Sequence, residues 1–238
     1  MSVHGGKWVS GSRLDGSAID VEQWASLGFF AMRIDYRLAT GSPAPACYQD
    51  LMCALRWAHA HAAVYALDTS RIFLIGHEAG GHLVSLVATL GNGDFEKTGG
   101  WESLPDSFAG AASISGAYEL RSLPWAAGWM PAGRRWEISL DYASPVRHVS
   151  AATRPLFMIH SDDDPVVPIQ QAMEMEDALN RVKAPFAYAL HQGRNHMTLS
   201  DDVIDLARQF VTQMGERVGS PTRPAKKPGP KKKARATA

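Results

Sequence analysis

The stretch that most constrains this chain is residues 71–82, RIFLIGHEAGGH. An apolar run over 71–76 has no polar alternation, which is how a parallel strand covered on both faces reads. It passes directly into Gly76-His77-Glu78-Ala79-Gly80-Gly81-His82, and an amphipathic stretch over 80–90 follows. Glycines on both sides of so short a strand-to-helix reversal mark places where the backbone leaves no room for a Cβ. A turn of this kind lifts its central side chain, here Glu78, above the carboxyl edge of a sheet and beside the positive end of a helix dipole.

The remainder alternates in the same way. Strands are predicted over 29–36, 71–76, 108–115, 155–160 and 186–191, and helices over 19–27, 45–66, 80–90, 169–182 and 200–218. This alternation specifies an α/β protein with a mostly parallel central sheet and helices on both faces. Two segments interrupt it. Residues 91–107 read as a polar loop. Residues 118–143 carry Trp125, Trp129, Trp136 and Tyr142 with little periodicity, and read as a cap-like insertion in a domain spanning 1–218.

The charges balance at 24 Lys+Arg and 24 Asp+Glu but are segregated. Seven bases and no acid fall in 219–238, a proline-broken tail expected to be disordered, which leaves 17 bases against 24 acids in 1–218. The acidic body argues against nucleic acid as a main partner, and a solvated tail is expected rather than a phosphate-binding one. Cys47 and Cys53, six apart on one predicted helix, face differently and are read as unpaired. No run reaches membrane-spanning length and no signal-peptide pattern follows Met1, so no membrane partner and a cytoplasmic location are expected; the oligomeric state is left open.

Three further motifs carry chemistry. His4-Gly5-Gly6-Lys7-Trp8 is a loop of the kind whose backbone N–H groups bind a developing oxyanion, with Ala79 adding another; the expected donors are Gly5, Gly6 and Ala79. His160-Ser161-Asp162-Asp163-Asp164-Pro165 follows a predicted strand and suits a loop-borne acid, for which Asp164 is chosen by register; Asp162 and Asp163 are the alternatives, better read as solvated turn carboxylates. Gly193-Arg194-Asn195-His196 follows the next strand and suits the base. Elbow residue, acid and histidine occur in the order nucleophile, acid, base. His4, Trp8 and His77 are expected to contact substrate. His77-Glu78-x-x-x-His82 has the wrong spacing for a zinc-binding H-E-x-x-H helix, and no metal or cofactor is expected. His82 is read as a structural histidine.

On HGGKW, IDYRLA, GHEAGGHL, SGAYELRSL, YASPVRHV, HSDDDPVVP and GRNHMTL, in that order over about residues 3–215, the chain resembles the carboxylesterase and feruloyl-esterase-like α/β-hydrolases. SGAYELRSL and SPVRHV lean toward kynurenine formamidase (arylformamidase). The resemblance implies hydrolysis of a small-molecule carboxylic ester or N-formyl aryl amide, with Asp164 and His196 as acid and base.

Two departures stand out. Glu78 occupies the position of the family's nucleophilic serine. Three readings follow: a carboxylate nucleophile, as the aspartate of haloalkane dehalogenases and epoxide hydrolases, though glutamate's extra methylene would make it overshoot; a general base acting on water; or an ion pair with His196 in a silenced pseudohydrolase that only binds. The second departure is the start. The family's two opening strands and most of a third would lie upstream of Met1, and the loss of that third strand predicts a gap in the ladder between the strands at 29–36 and 71–76.

Overall fold

The computed structural model describes residues 1–91, 93, 95–129 and 136–219. The expected tail over 220–238 and the Trp136 side chain lie outside the described residues. Six strands form one wholly parallel sheet: β1 (Ser2–Val3), β2 (Arg33–Ile34), β3 (Phe73–His77), β4 (Gly110–Ile114), β5 (Leu156–Ser161) and β6 (Phe186–His191), ordered β2-β1-β3-β4-β5-β6. The helices are α1 (Val21–Ser26), α2 (Ala46–Ala60), α3 (Ala62–Tyr65), α4 (Ala79–Leu90), α5 (Trp136–Ala143), α6 (Gln170–Val182) and α7 (Asp201–Gly219).

The two sides of the sheet can be read from alternation along the strands. Leu74, Ala111, Leu156 and Met158 join Leu51, Leu55, Leu83, Val84 and Leu179 in one core. Phe73, Ile75, Ala112, Ile114, Phe157 and Ile159 join Trp24, Val203, Ala207 and Val211 in the other. Helices α2, α4 and α6 therefore cover one face, and α1 and α7 the other. Each strand of the middle of the sheet is buried on both sides, which explains the continuous apolar runs.

The expected gap in the ladder does not occur. Ser2–Val3 lies between its two neighbours, pairing with Arg33 and Ile34 on one side and Ile75 and Gly76 on the other. Two residues suffice because they stand level with the carboxyl ends of β2 and β3, where the functional loops leave the sheet. The β2 ladder is accordingly two residues long rather than the eight expected over 29–36. The single helix expected over 45–66 breaks at His61, whose Nδ1 bonds the Trp57 carbonyl at 2.8 Å, and ends at Ala66 in a left-handed conformation. Helix α5, missed by periodicity, lies within the aromatic segment.

The chain leaves β1 toward β2 and returns through α2 to β3, so the loops after β1 and β3 diverge across a crevice. In open α/β sheets that switch point is where ligands bind. The crevice is kept tight by glycine. A Cβ on Gly76 would lie 2.2 Å from the Gly80 carbonyl oxygen, and one on Gly80 would lie 2.1 Å from that of Val3. Gly80→Ala therefore must push α4 away from β1, and is expected to destabilise the fold by about 1–3 kcal/mol. Gly16→Ala, where a Cβ meets nothing within 4 Å, should change stability by less than about 0.5 kcal/mol. Urea unfolding of the two variants makes the comparison.

Candidate functional site

Glu78 sits at the N-cap of α4 with φ 50° and ψ −109°, a conformation that L-residues rarely adopt. It is held there from both sides. Its N–H donates to the Ile114 carbonyl at 2.9 Å, and its carbonyl accepts from the His82 N–H at 2.8 Å. The side chain, 6 % exposed as a residue, turns into the loop that follows β1. There Oε2 accepts from the Gly6 N–H at 2.6 Å and the Lys7 N–H at 2.9 Å.

That loop is strained in the way an amide cradle requires. Gly6, Lys7 and Trp8 all have positive φ, at 105°, 52° and 62°, so that successive N–H groups turn to one side. Glycine is obligatory at position 6, where a Cβ would lie 2.2 Å from the Ser10 carbonyl oxygen. Gly5 does not join the pair, contrary to expectation: its N–H donates to Ser17 Oγ at 3.2 Å. Lys7, the last residue of the Gly5–Lys7 stretch in which donors were expected, takes its place. Ala79 is buried as the first residue of α4, directly after the elbow.

Opposite the elbow, His196 Nδ1 lies 3.0 and 2.9 Å from Asp164 Oδ1 and Oδ2. Asp164 Oδ1 also accepts from the Val166 and Val167 N–H groups, each at 2.9 Å. Burial pushes this carboxyl up, but the His196 bond and the two amides outweigh it and hold it below the usual carboxylate range. With Nδ1–H committed to Asp164, His196 presents Nε2, which lies 4.0 Å from Glu78 Oε1. That separation is too long for a direct hydrogen bond.

The neighbouring carboxylates are not simply solvated turn residues. Asp162 Oδ1 accepts from Gly193 N–H at 2.9 Å, Ser161 Oγ from Arg194 N–H at 3.0 Å, and Asp163 Oδ1 from Asn195 N–H at 2.8 Å. Residues 161–164 thus clasp 193–196 one for one, ending in the Asp164–His196 pair. Met197, just beyond, is held at both backbone groups: Ser115 Oγ accepts its N–H at 3.1 Å, and His77 Nε2 donates to its carbonyl at 2.5 Å. The His77 ring stands 5.1 Å from that of His196. Burial and the nearby His196 lower its basicity, so His77 is a neutral brace on the histidine loop.

Two expected substrate contacts are corrected. His4 is buried, stacks on Tyr36 at 4.2 Å and bonds the Gly5 carbonyl through Nδ1 at 2.6 Å. Trp8 is fully buried and packs against Trp125 and Trp129 at 5.0 and 5.5 Å. Neither ring faces a substrate: His4 is held in the core against Tyr36, and Trp8 among the tryptophans of the aromatic segment. Tyr118, Leu120, Leu123, Ala126 and Trp129 of the aromatic segment join Trp8 in the core covered by α2, α4 and α6, and Trp125 Nε1 donates to the Val166 carbonyl at 2.9 Å, joining it to the loop that carries Asp164. A separate groove of about 950 Å³, lined by Met1, Trp24, Phe29, Phe30, Tyr65 and Phe73, opens at the amino ends of β1 and β3, away from this site.

His82 has partners that the sequence did not reveal. Nδ1 accepts from Trp8 Nε1 at 3.2 Å and Nε2 donates to the Ala143 carbonyl at 2.7 Å, tying α4 to the amide loop and to the end of α5. Both bonds need the neutral ring, and burial lowers its pKa from 6.5 to about 4. Among the described residues no cluster of three His, Cys, Asp or Glu could hold a metal, and no helix is long and apolar enough to cross a membrane.

A parallel sheet with the elbow after β3, the acid after β5 and the histidine after β6 defines the α/β-hydrolase fold. The BD-FAE family model matches residues 1–116. A probable carboxylic ester hydrolase, LipM, of Mycobacterium tuberculosis is 32% identical over 200 residues, 79% of this chain and 46% of that protein. Esterase LipC of the same organism is 30% identical over 224 residues, 88% of this chain and 54% of that one. The chain spans about half the length of these curated relatives. Among solved structures, a truncated carbohydrate esterase from gut microbiota superposes with a TM-score of 0.79 at 20% identity, covering 90% of this chain and 85% of that one. An acetyl ester-xyloside bifunctional hydrolase from Caldicellulosiruptor lactoaceticus gives 0.77 at 23%, covering 90% and 82%. Together these matches support an α/β-hydrolase esterase family for the chain.

The His82 pKa gives a pH prediction. A folded value near 4 against 6.5 means that the unfolded chain binds more protons between these limits. The stability due to neutral His82 is then complete above pH 6.5 and declines as pH falls toward 4, by at most about 1.4 kcal/mol per pH unit. Urea unfolding across this range should show a shallower pH slope for His82→Gln than for wild type.

Proposed function

We propose that the chain hydrolyses small-molecule carboxylic esters, and that N-formyl aryl amides, toward which the sequence leans, are the amide substrates to try first. The observation that supports this reading is the Asp164–His196 pair, whose free Nε2 faces the elbow beside two convergent amides. In this reading Asp164 orients the imidazole and His196 takes a proton from the attacking water. The Gly6 and Lys7 N–H groups, with that of Ala79, stabilise the oxyanion. Residues 1–218 act as the hydrolase unit, 118–143 shape the pocket and the tail takes no part in turnover. No cofactor is needed, and a cytoplasmic site of action is part of the proposal.

Glu78 sets the terms. With Oε2 between the amides, an ester carbonyl must displace it before the oxyanion hole can act, so ester turnover by wild type is slow. The same observation favours a second reading, a silenced protein that binds acyl compounds without turning them over.

The two readings separate in a parallel assay of wild type, Glu78→Ser, Glu78→Ala and His196→Ala on short aryl esters and N-formylkynurenine. Wild type is expected to exceed the blank, and His196→Ala to lose on the order of a hundredfold. Glu78→Ser, which restores a neutral nucleophile and frees the amides, should gain on the order of a hundredfold or more. An inert wild type beside an active Glu78→Ser would establish the silenced binder instead.

A further inference from the structure

Asp164 bonds the His196 ring, but where that ring stands is set by the backbone from which it projects. The two sides of this backbone are held differently. Beyond His196, Met197 is bonded to Ser115 and His77, both buried. Before it, the chain leaves the edge strand β6 and passes through Gly193 at φ 65° and Asn195 at φ 53°. Asparagine tolerates the left-handed region better than most residues but prefers negative φ when free. The conformation directly ahead of His196 therefore needs a partner to hold it.

That partner is one carboxylate oxygen. Asp163 Oδ1 accepts the Asn195 N–H at 2.8 Å and the Ser161 hydroxyl at 2.7 Å. Ser161 Oγ, with its own proton given to Asp163, accepts the Arg194 N–H at 3.0 Å. Two successive amides ahead of His196 thus end on Asp163 Oδ1, one directly and one through a buried serine. The Ser161 hydroxyl, and after it the Asn195 amide, hold the Asp163 carboxyl below the usual carboxylate range. It is ionised at neutral pH, and both bonds are charge-assisted. Asp162 makes a bond of the same kind to the Gly193 N–H at 2.9 Å. That amide lies three residues from His196, and glycine adopts a positive φ without steric cost.

We infer that Asp163 is a positioning residue for His196: its Oδ1, with the Ser161 hydroxyl, fixes the left-handed Asn195 and so the point from which the imidazole meets both Asp164 and the elbow. The effect on turnover rests on the ester-hydrolase reading, whereas the effect on the Asp164–His196 bond rests on the geometry alone. Asp163 acts on the backbone and leaves the chemistry to the ring. Without it Asn195 relaxes toward negative φ and carries His196 away from Asp164. A shift of about 1 Å in a reacting group costs on the order of a hundredfold in rate.

Asp163→Ala, Asp163→Asn and Asp162→Ala, each made in the full chain, test the inference. The first readout is the proton resonance of His196 Nδ1–H, identified by its absence from His196→Ala and followed with Glu78 in place. Asp162→Ala should keep this resonance and Asp163→Ala should shift or lose it. Asp163→Asn, whose amide oxygen can accept both bonds, should restore it. The second readout is hydrolysis of 4-nitrophenyl butyrate with each change placed on Glu78→Ser. There Asp163→Ala should lower kcat on the order of a hundredfold with KM little changed, and Asp163→Asn should recover most of the loss. The inference is overturned if Asp163→Ala leaves the resonance where it was, if asparagine is as damaging as alanine, or if Asp162→Ala disturbs His196 equally. A Glu78→Ser protein inert toward the ester would count against the ester-hydrolase reading, and the resonance would still decide the role of Asp163.

Discussion

Two close contacts between backbones, Gly80 against the Val3 carbonyl and Gly76 against that of Gly80, bring everything else in this site within reach. They bring the first turn of α4 against the end of β1, so the loops after β1 and β3 face each other across a few ångströms. Neither contact tolerates a side chain, and both act at the level of Val3 and Gly76, which are partners in the β1–β3 ladder. The amide loop can touch the elbow residue only because of this compression. Strain at Glu78, Lys7 and Trp8 is sustained by the same packing: such conformations persist where surroundings over-determine them.

Within that frame the carboxylate of Glu78 does what no serine hydroxyl could do. It is long enough to reach the Gly6 and Lys7 amides and accepts from both at short range. The Asp164–His196 pair beyond it is assembled independently of the elbow residue. Asp164 is fixed by two backbone amides and His196 by Asp164, while Ser161, Asp162 and Asp163 set the spacing of the loop that carries the histidine. His77 and Ser115 brace that loop from the elbow side. A substitution at position 78 therefore changes the chemistry offered to a substrate while leaving the dyad a self-supporting unit.

The histidines show where pattern reading reached its limit. The His196–Asp164 pair was legible because each residue follows a strand, and the fold brings the two within hydrogen-bond distance. His82 looked like an ordinary buried residue, yet it is a neutral bridge between Trp8, 74 residues before it, and Ala143, 61 residues after it. His4 and Trp8 were read as facing substrate because they flank the glycines of a functional loop. Both rings are instead buried, His4 stacked on Tyr36 and Trp8 packed against Trp125 and Trp129. No periodicity encodes such burial, since it depends on what fills the space around the ring, for Trp8 the tryptophans Trp125 and Trp129 from a distant segment.

Sequence by itself determined the sheet class, the elbow and the places of Asp164 and His196 directly after their strands. Each of these rests on local pattern: unbroken apolar runs for doubly buried strands, glycines where no Cβ fits, functional residues directly after strands. Tertiary structure alone decided that two residues of β1 complete the ladder, that Lys7 rather than Gly5 supplies the second amide, and that Glu78 divides its oxygens between the cradle and the crevice. Those outcomes are set by distances between segments some seventy residues apart, and a side chain's reach becomes chemistry only once the fold has fixed what lies at the end of it.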